Sequence, residues 1–230
     1  MPTKAQLATA AIHVEQDILK EQVGCQDQVL AAFGGFLRIN FHAGEREFEV
    51  APVIIHRERL QELQDHMLLY FTGQTRIASE IAKEQVARTK TNSQQLSIIR
   101  QMVDRAIAIL SGEGALTEFG ELLHESWMLK RSLSLQISAP PIDEIYDSAR
   151  AAGVIGGKLL GAGGGGFMLF FARPEDHSRI RERLSSLLRV PFRFEQTGSQ
   201  IIAFEPEASW EGRMTPSRFS AETVTAQRER

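Results

Sequence analysis

Glycines concentrate in one stretch of the chain, in a pattern that suits phosphate binding. Eight of the 18 glycines of this 230-residue sequence lie between residues 153 and 166, and residues 163–166 are four consecutive glycines. Glycine permits a positive φ and a close approach of the backbone, so that successive N–H groups can converge on a phosphate. The alternative is a glycine-rich connection that only lets a helix and a strand pack closely. The four consecutive glycines favour phosphate binding over this alternative.

Two well-known phosphate loops do not match this stretch. Gly161, Gly163 and Gly166 fit the spacing G-x-G-x-x-G, but the dinucleotide fingerprint requires a helix directly afterwards. Here residues 167–172 have the composition of a buried strand. A Walker loop ends in Gly-Lys-Ser/Thr, whereas Lys158 is followed by leucine. The sequence therefore predicts a glycine loop of another kind.

The composition excludes several classes of protein. The net charge is −3, with 43% hydrophobic and 24% charged residues, so there is no basic excess to attract nucleic acid or anionic lipid. The single cysteine, Cys25, excludes an intrachain disulfide and has no histidine close in sequence, and the six histidines show no metal-binding spacing. No apolar run approaches the roughly 20 residues of a spanning helix. We expect a cytoplasmic protein that binds neither nucleic acid nor membranes.

The spacing of apolar residues predicts an α+β fold. Helical periodicity covers residues 5–20, 77–86, 96–110, 116–133, 140–153 and 174–188, with a short helical run at 29–33. Strand patterns cover residues 36–41, 48–55, 66–71, 167–172, 192–196 and 200–204, the first two as a hairpin. From residue 206 the chain is polar and aperiodic, with Trp210 as its anchor.

Six segments of the sequence together resemble the GHMP kinases. The segment GGKLLGAGGGGF at 156–167 resembles the C-terminal glycine motif of that family. The segments AIHVEQ at 11–16, VGCQDQ at 23–28 and AFGG at 32–35 resemble the region leading into its catalytic aspartate. The segments LYFTGQTRIA at 69–78 and LLHESWMLK at 122–130 are most similar to its sugar-1-kinase branch, and within it to the heptose 7-phosphate kinases.

The resemblance implies roles for two carboxylates. Asp27 takes the part of the residue that orients a sugar hydroxyl and accepts its proton, whereas the sequence alone favours an aspartate that caps the following helix. Glu15 takes the part of the ligand to the Mg²⁺ that bridges the phosphates of ATP, and on its own would be a solvated helix residue. The further residues implied to lie at the substrate or the phosphates are Gly24, Gln26, Gln28, Gly161, Gly163, Gly164, Gly165 and Gly166.

Five other residues are candidates for binding an anion. Thr72, Gly73 and Arg76 stand where a strand turns into a helix, and they suit either anion binding or a simple threonine cap with a surface arginine. Trp127 and Lys130 lie three residues apart on one helix face. Together they suit binding of the acceptor's phosphate, and the alternative is a core tryptophan beside a snorkelling lysine.

The 230 residues differ from the family in one respect. A sugar-binding N-terminal segment and a Gly-Leu-Gly-Ser-Ser-like loop, which wraps the triphosphate in the family, do not occur in them. We therefore expect residues 1–55 to be a remnant of the nucleotide-binding domain. Residues 56–205 should form the C-terminal domain, an antiparallel sheet backed by helices, and residues 206–230 a polar tail.

The expected function follows from the resemblance and from this difference. The chain is expected to be the C-terminal part of an ATP- and Mg²⁺-dependent kinase that phosphorylates the anomeric hydroxyl of a heptose 7-phosphate-like sugar, inactive in this form. The alternative is a non-catalytic protein that binds a sugar phosphate or a partner. In either case, we expect the apolar face formed by Leu7, Ala11, Val14 and Ile18 to be exposed to solvent or buried by self-association.

Overall fold

The computed structural model describes residues 2–42, 47–74, 78–134 and 137–203. Within these ranges the helices are α1 (Lys4–His13), α2 (Gln26–Phe33), α3 (Arg57–His66), α4 (Ala78–Ala87), α5 (Ser93–Ser111), α6 (Thr117–Ser132), α7 (Pro140–Ala151) and α8 (His177–Arg183). The strands are β1 (Leu37–Phe41), β2 (Phe48–Pro52), β3 (Met67–Phe71), β4 (Val154–Leu159), β5 (Phe167–Ala172) and β6 (Leu188–Arg189). A π-helical turn, Val14–Ile18, continues α1, and a 3₁₀ turn, Pro174–Asp176, precedes α8.

Four strands form an antiparallel sheet in the order β4-β5-β3-β6. The continuous apolar runs of β3 and β5 occupy its two central positions, as expected for strands that are buried on both faces. Leu69 is paired with Leu169, and Lys158 of β4 is also opposite Leu169. The strands β1 and β2 form a separate hairpin in which Ile39 is paired with Val50. The predicted combination of helices with a small antiparallel sheet is confirmed.

Helix α6 packs directly against β4, and glycine makes this close approach possible. A Cβ atom on Gly156 would lie 1.8 Å from the carbonyl oxygen of Gly120 and 2.9 Å from the backbone nitrogen of His124. Both neighbours are backbone atoms of α6, so no side-chain rotation would relieve the clash. The main core lies beside this contact and includes Trp127, Tyr146 and Phe170, all of which are fully buried.

The first two helices form a smaller apolar cluster of their own. Ala8 and Ile12 of α1 pack with Val29 and Ala32 of α2. The face predicted from the sequence is a different one: Leu7, Val14 and Ile18 are 40%, 44% and 61% exposed. The helical periodicity of α1 is therefore real, but its α-helical part ends at His13 and the exposed apolar side chains stand outside the cluster.

Two elements of the structure were not predicted. Helix α3 lies where the sequence gave no helical signal, and its ten residues contain only two leucines among charged and polar side chains. Strand β4 covers residues that the glycine pattern assigned to a loop. It forms because its glycines allow α6 to pack on it, and because β5 supplies hydrogen-bonding partners.

Two predicted elements near the end of the fold differ in the structure, the first in its length and the second in its type. The helix expected over 174–188 ends at Arg183, because the chain must leave it to pair Leu188 with Phe71 at the sheet edge. The strand expected over 192–196 does not form. Gln64 of α3 instead accepts a hydrogen bond from the Phe194 amide at 2.9 Å and donates one to the Phe192 carbonyl at 3.3 Å.

Residues 1–199 form one compact unit. Residues 200–203, where a further strand was expected, are not in a strand, and Phe204, Trp210 and the expected polar tail lie outside the described residues. Among the helices of the described ranges, none has the length and apolarity needed to cross a membrane.

Candidate functional site

Several distant segments of the chain line one pocket of about 770 Å³. This volume lies within the range of ordinary small-molecule sites. We call residues 15–28 the carboxylate wall and residues 158–166 the glycine wall. Of the glycine wall, Lys158, Gly161 and Ala162 line the pocket, whereas the predicted site residues Gly163, Gly164, Gly165 and Gly166 do not. The predicted site residues that line the pocket are Glu15, Gly24, Gln26, Asp27, Gln28, Lys130 and Gly161.

The carboxylate wall is shaped by a local irregularity of the first helix. Glu15 lies in the π-helical turn, a conformation that occurs mostly as single turns and often at functional sites. Its carboxylate accepts a hydrogen bond from the side-chain amide of Gln28, which is buried. The side-chain amide of Gln16 donates to the Val23 carbonyl at 2.9 Å and to Cys25 Sγ at 3.3 Å. These bonds hold the loop that leads to Asp27.

Asp27 stands in the first turn of α2 with its side chain exposed to the pocket. The helix begins at Gln26 and Cys25 occupies the N-cap position, so Asp27 does not cap it and that interpretation is wrong. Among the described residues, the Asp27 carboxylate makes no hydrogen bond or ion pair. The first turn of a helix is a favourable place for a negative charge. Within the described ranges, the Asp27 carboxylate is thus unpaired and available to whatever occupies the pocket.

The glycine wall is held by hydrogen bonds within the protein. The Gly164 amide donates to the Ile137 carbonyl at 2.9 Å, and the Gly166 amide donates to the Gln74 carbonyl at 2.8 Å. A Cβ on Gly163 would lie 2.9 Å from Ile137 Cα, and one on Gly165 would lie 2.5 Å from the Gln74 carbonyl oxygen. The prediction that the Gly164 and Gly166 amides converge on a phosphate is therefore wrong, since both are already bonded.

Thr72 fixes the end of the glycine wall. Its backbone amide and its hydroxyl both donate to the Gly166 carbonyl at 2.9 Å, and the hydroxyl accepts from the Gln74 amide at 3.3 Å. The side chain is buried and does not line the pocket. The expected anion-binding role of Thr72 is replaced by a structural one. Gly73, with φ at +73°, makes the turn that follows.

Two lysines line the pocket, Lys158 within the glycine wall and Lys130 from α6. Lys130, in the last turn of α6, donates from Nζ to the Gly161 carbonyl at 2.6 Å. Burial, and then the charge of Lys158, lowers the pKa of Lys130 to about 8, and the Asp27 carboxylate opposes this shift. Burial also lowers the pKa of Lys158, again opposed by Asp27. The two ammonium groups and Asp27 therefore interact across the pocket.

Trp127 is not part of the site, and this corrects the expected pairing with Lys130. Its side chain is fully buried in the main core, where its ring centroid is 6.2 Å from that of Tyr146. A fully buried ring has no surface to offer a ligand. Arg76, the remaining candidate, lies outside the described residues.

The structure adds two residues that the sequence analysis missed. Lys158 lines the pocket from β4, and Gln85 lines it from α4 while its side-chain amide donates to the Ala162 carbonyl at 2.7 Å. Lys158 lies within the glycine motif, where its sequence context indicates only that the motif is not a Walker loop. Gln85 carried no signal, because a glutamine on an amphipathic helix is an ordinary surface residue.

The donor set of the carboxylate wall suits Mg²⁺ in part. Mg²⁺ prefers oxygen ligands and is commonly held by one or two carboxylates together with substrate phosphates. Glu15 and Asp27 supply such carboxylates, and the side-chain oxygen of Gln28 is buried without a hydrogen-bond partner in the described structure. Within the described ranges no three His, Cys, Asp or Glu residues form a metal cluster. Bound phosphates would have to complete the coordination.

Comparisons with known proteins indicate one family, the GHMP kinases. Residues 105–190 match the family model described as "GHMP kinases C terminal". The D-glycero-alpha-D-manno-heptose 7-phosphate kinase of Campylobacter jejuni is 32% identical over 173 residues, which cover 74% of this chain and 50% of that protein. The L-fucokinase/L-fucose-1-P guanylyltransferase of Bacteroides fragilis is 31% identical over 181 residues, which cover 75% of this chain and 18% of that protein.

The fold comparison agrees. A D-glycero-D-manno-heptose 1-phosphate kinase from Bacteroides thetaiotaomicron superposes with a TM-score of 0.60 at 27% identity, over 88% of this chain and 57% of that one. This chain therefore spans about half the length of the heptose kinases that it matches.

Proposed function

Because the chain carries a GHMP kinase C-terminal domain, we propose that it is the acceptor-binding part of an ATP-dependent kinase that phosphorylates the anomeric hydroxyl of a heptose 7-phosphate-like sugar. One observation carries this proposal: Asp27 and Glu15 of one segment, Lys130 and Gly161 come from three separate parts of the sequence and line a single pocket. The heptose acceptor is supported by the names of two relatives, which are heptose phosphate kinases.

The proposed chemistry assigns the proton to Asp27. The anomeric oxygen of the sugar attacks the terminal phosphorus of ATP, the bond from that phosphorus to the bridging oxygen breaks, and ADP leaves. The hydroxyl proton passes to the Asp27 carboxylate, which has no competing partner among the described residues. Phosphoryl transfer depends mainly on positioning and on charge stabilisation, so the pocket must also hold the sugar in line with the phosphate.

A bound Mg²⁺ would supply positive charge that stabilises the negative charge developing during phosphoryl transfer. Glu15 is the residue that we assign to hold it, with Gln28 fixing the orientation of the Glu15 carboxylate. The 230 residues contain no Gly-Leu-Gly-Ser-Ser-like loop, so we expect them to show no appreciable kinase activity by themselves.

The decisive experiment joins residues 1–230 to the N-terminal half of the Campylobacter jejuni enzyme and measures ADP release with heptose 7-phosphate and Mg-ATP. We expect turnover, and we expect Asp27→Asn to lower kcat by about 10²–10⁴-fold with little change in KM. Asp147→Asn is the matched control, because Asp147 is an exposed aspartate on α7 that does not line the pocket.

The outcomes separate the proposal from its alternative. An Asp27→Asn fusion with near wild-type kcat would remove Asp27 from the chemistry. A fusion that binds heptose 7-phosphate but does not turn over would favour a non-catalytic sugar-phosphate-binding protein instead.

A further inference from the structure

Lys158 is a cation of the pocket that has no hydrogen-bond or ion-pair partner among the described residues. It follows Gly156 by two residues on β4, and residues two apart in a strand face the same side of the sheet. That side is the one on which α6 packs, since a Cβ on Gly156 would meet the Gly120 carbonyl of α6. The Lys158 side chain is half-buried and lines the pocket.

Two other charged residues of the pocket, Lys130 and Glu15, differ from Lys158 in having partners. The Lys130 ammonium donates to the Gly161 carbonyl, and the Glu15 carboxylate accepts from Gln28. In the part of the chain that the structure describes, Lys158 makes no hydrogen bond and no ion pair within 4 Å. Asp27 acts on it only at longer range.

A partly buried cation without a partner loses hydration that nothing in the protein replaces. Lys130 is a second cation in the same pocket, and repulsion from Lys158 contributes to the lowered pKa of the Lys130 ammonium. Two neighbouring ammonium groups are best compensated by a ligand with two negative charges. A phosphate monoester has this charge, and lysine binds phosphate as a compact point charge with three donors.

We propose that Lys158, together with Lys130, forms a phosphate subsite in the pocket that faces Asp27. The existence of the subsite follows from the placement of these side chains, and only the identity of the phosphate rests on the proposed function. Such a subsite would also keep the anionic ligand from being repelled by the Asp27 carboxylate. The phosphate belongs either to the acceptor sugar or to the nucleotide.

The first experiment measures binding of inorganic phosphate to the 230-residue chain by calorimetry. We expect Lys158→Gln to weaken binding at least tenfold, since hydrogen bonds to charged groups contribute about 1.5–3 kcal/mol. Lys83→Gln should leave the affinity within twofold, because Lys83 is an exposed lysine of α4 that does not line the pocket. Equal phosphate affinities of the wild type and of a folded Lys158→Gln variant would overturn the proposal.

A footprint of the wild-type chain serves if the variant does not fold. Phosphate should slow the acetylation of Lys158 and Lys130, read by mass spectrometry, while Lys83 reacts at an unchanged rate. Protection of Lys83 to the same extent, or no protection of Lys158, would equally overturn the subsite.

A third measurement identifies the source of the phosphate. If the acceptor supplies it, Lys158→Gln lowers the affinity for heptose 7-phosphate to that for the unphosphorylated heptose and leaves Mg-ADP binding unchanged. If the nucleotide supplies it, only Mg-ADP binding weakens. A change in neither affinity contradicts the subsite, whereas loss of turnover in Asp27→Asn without a change in phosphate affinity concerns the proposed function alone.

Discussion

The two walls of the pocket are built in opposite ways. The glycine wall is fastened to the fold by backbone hydrogen bonds to Ile137 and Gln74, and by Thr72. The carboxylate wall is a π-helical turn, a loop and the start of α2, held mainly by the side chains of Gln16 and Gln28. The glycines thus supply the rigid surface, and the charged side chains supply the chemistry.

This division changes the meaning of the glycine motif. The Gly164 and Gly166 amides are bonded within the protein, and both residues have a positive φ, so these two glycines serve the backbone conformation. The residues of the motif that line the pocket are Lys158, Gly161 and Ala162, and the Gly161 carbonyl accepts a hydrogen bond from Lys130. The sequence pattern predicts backbone amides that bind a phosphate, whereas in this structure the motif mainly positions Lys158 in the pocket.

The largest expected effect tests the rigid side of the comparison. Gly156→Ala places a Cβ 1.8 Å from the Gly120 carbonyl oxygen, so we expect it to lower the free energy of unfolding by about 3 kcal/mol or more. For a protein of this size, that corresponds to a fall in Tm of roughly 10 °C. Thermal unfolding followed by circular dichroism measures it.

The matched control comes from the carboxylate wall. Gly24 has no atom within 4 Å of the added Cβ, and its φ is not positive, so Gly24→Ala should change the unfolding free energy by less than about 0.5 kcal/mol. Equal losses of stability in the two variants would show that the walls do not differ in packing as we describe.

A smaller effect is expected where a single hydroxyl fastens the glycine wall. Thr72→Val keeps the shape of the side chain but removes the hydrogen bond from Oγ1 to the Gly166 carbonyl, and Gln74 loses an acceptor. We expect a loss of about 1 kcal/mol and a Tm lower by about 2–4 °C. Thr72→Ser keeps the hydroxyl and should restore most of the stability, and a serine variant as unstable as the valine variant would contradict the role of this bond.

The sequence predicted the elements whose pattern depends on local burial. The helical spacing of α5 to α7 and the apolar run of β5 are visible because each element packs one face, or both faces, against the core. Helix α3 was missed because only Leu60 and Leu63 interrupt its polar residues, and β4 was missed because glycines in a strand carry no side-chain pattern.

The residues of the candidate site also divide into those that the sequence predicted and those that it did not. Asp27 and Glu15 were found through the resemblance, and the pocket contains both of them. Lys158 was missed because only the pairing of β4 with β5 and the packing of α6 bring it opposite Asp27, and these are contacts between distant parts of the chain. Trp127 was misassigned because helical spacing shows that it is near Lys130 but not how deeply it is buried.

The smallest expected effect concerns the charge between the walls, and sulfate is a suitable probe because its charge is constant between pH 7 and 9. The pKa of Lys130 is about 8, so its ammonium is mostly protonated at pH 7 and mostly neutral at pH 9. The lowered pKa of Lys158 acts in the same direction. Asp27 and Glu15 also line the pocket. Sulfate affinity should therefore fall about two- to fivefold as the pH rises from 7 to 9, the effect of removing one partly screened charge.

Calorimetric titration of the 230-residue chain at both pH values measures it, and Lys130→Gln should bind more weakly at pH 7 with a flatter pH dependence. A wild-type sulfate affinity that is equal at pH 7 and pH 9 would show that Lys130 does not contribute its charge to the anion, and the glycine wall would then hold the ligand through Lys158 alone.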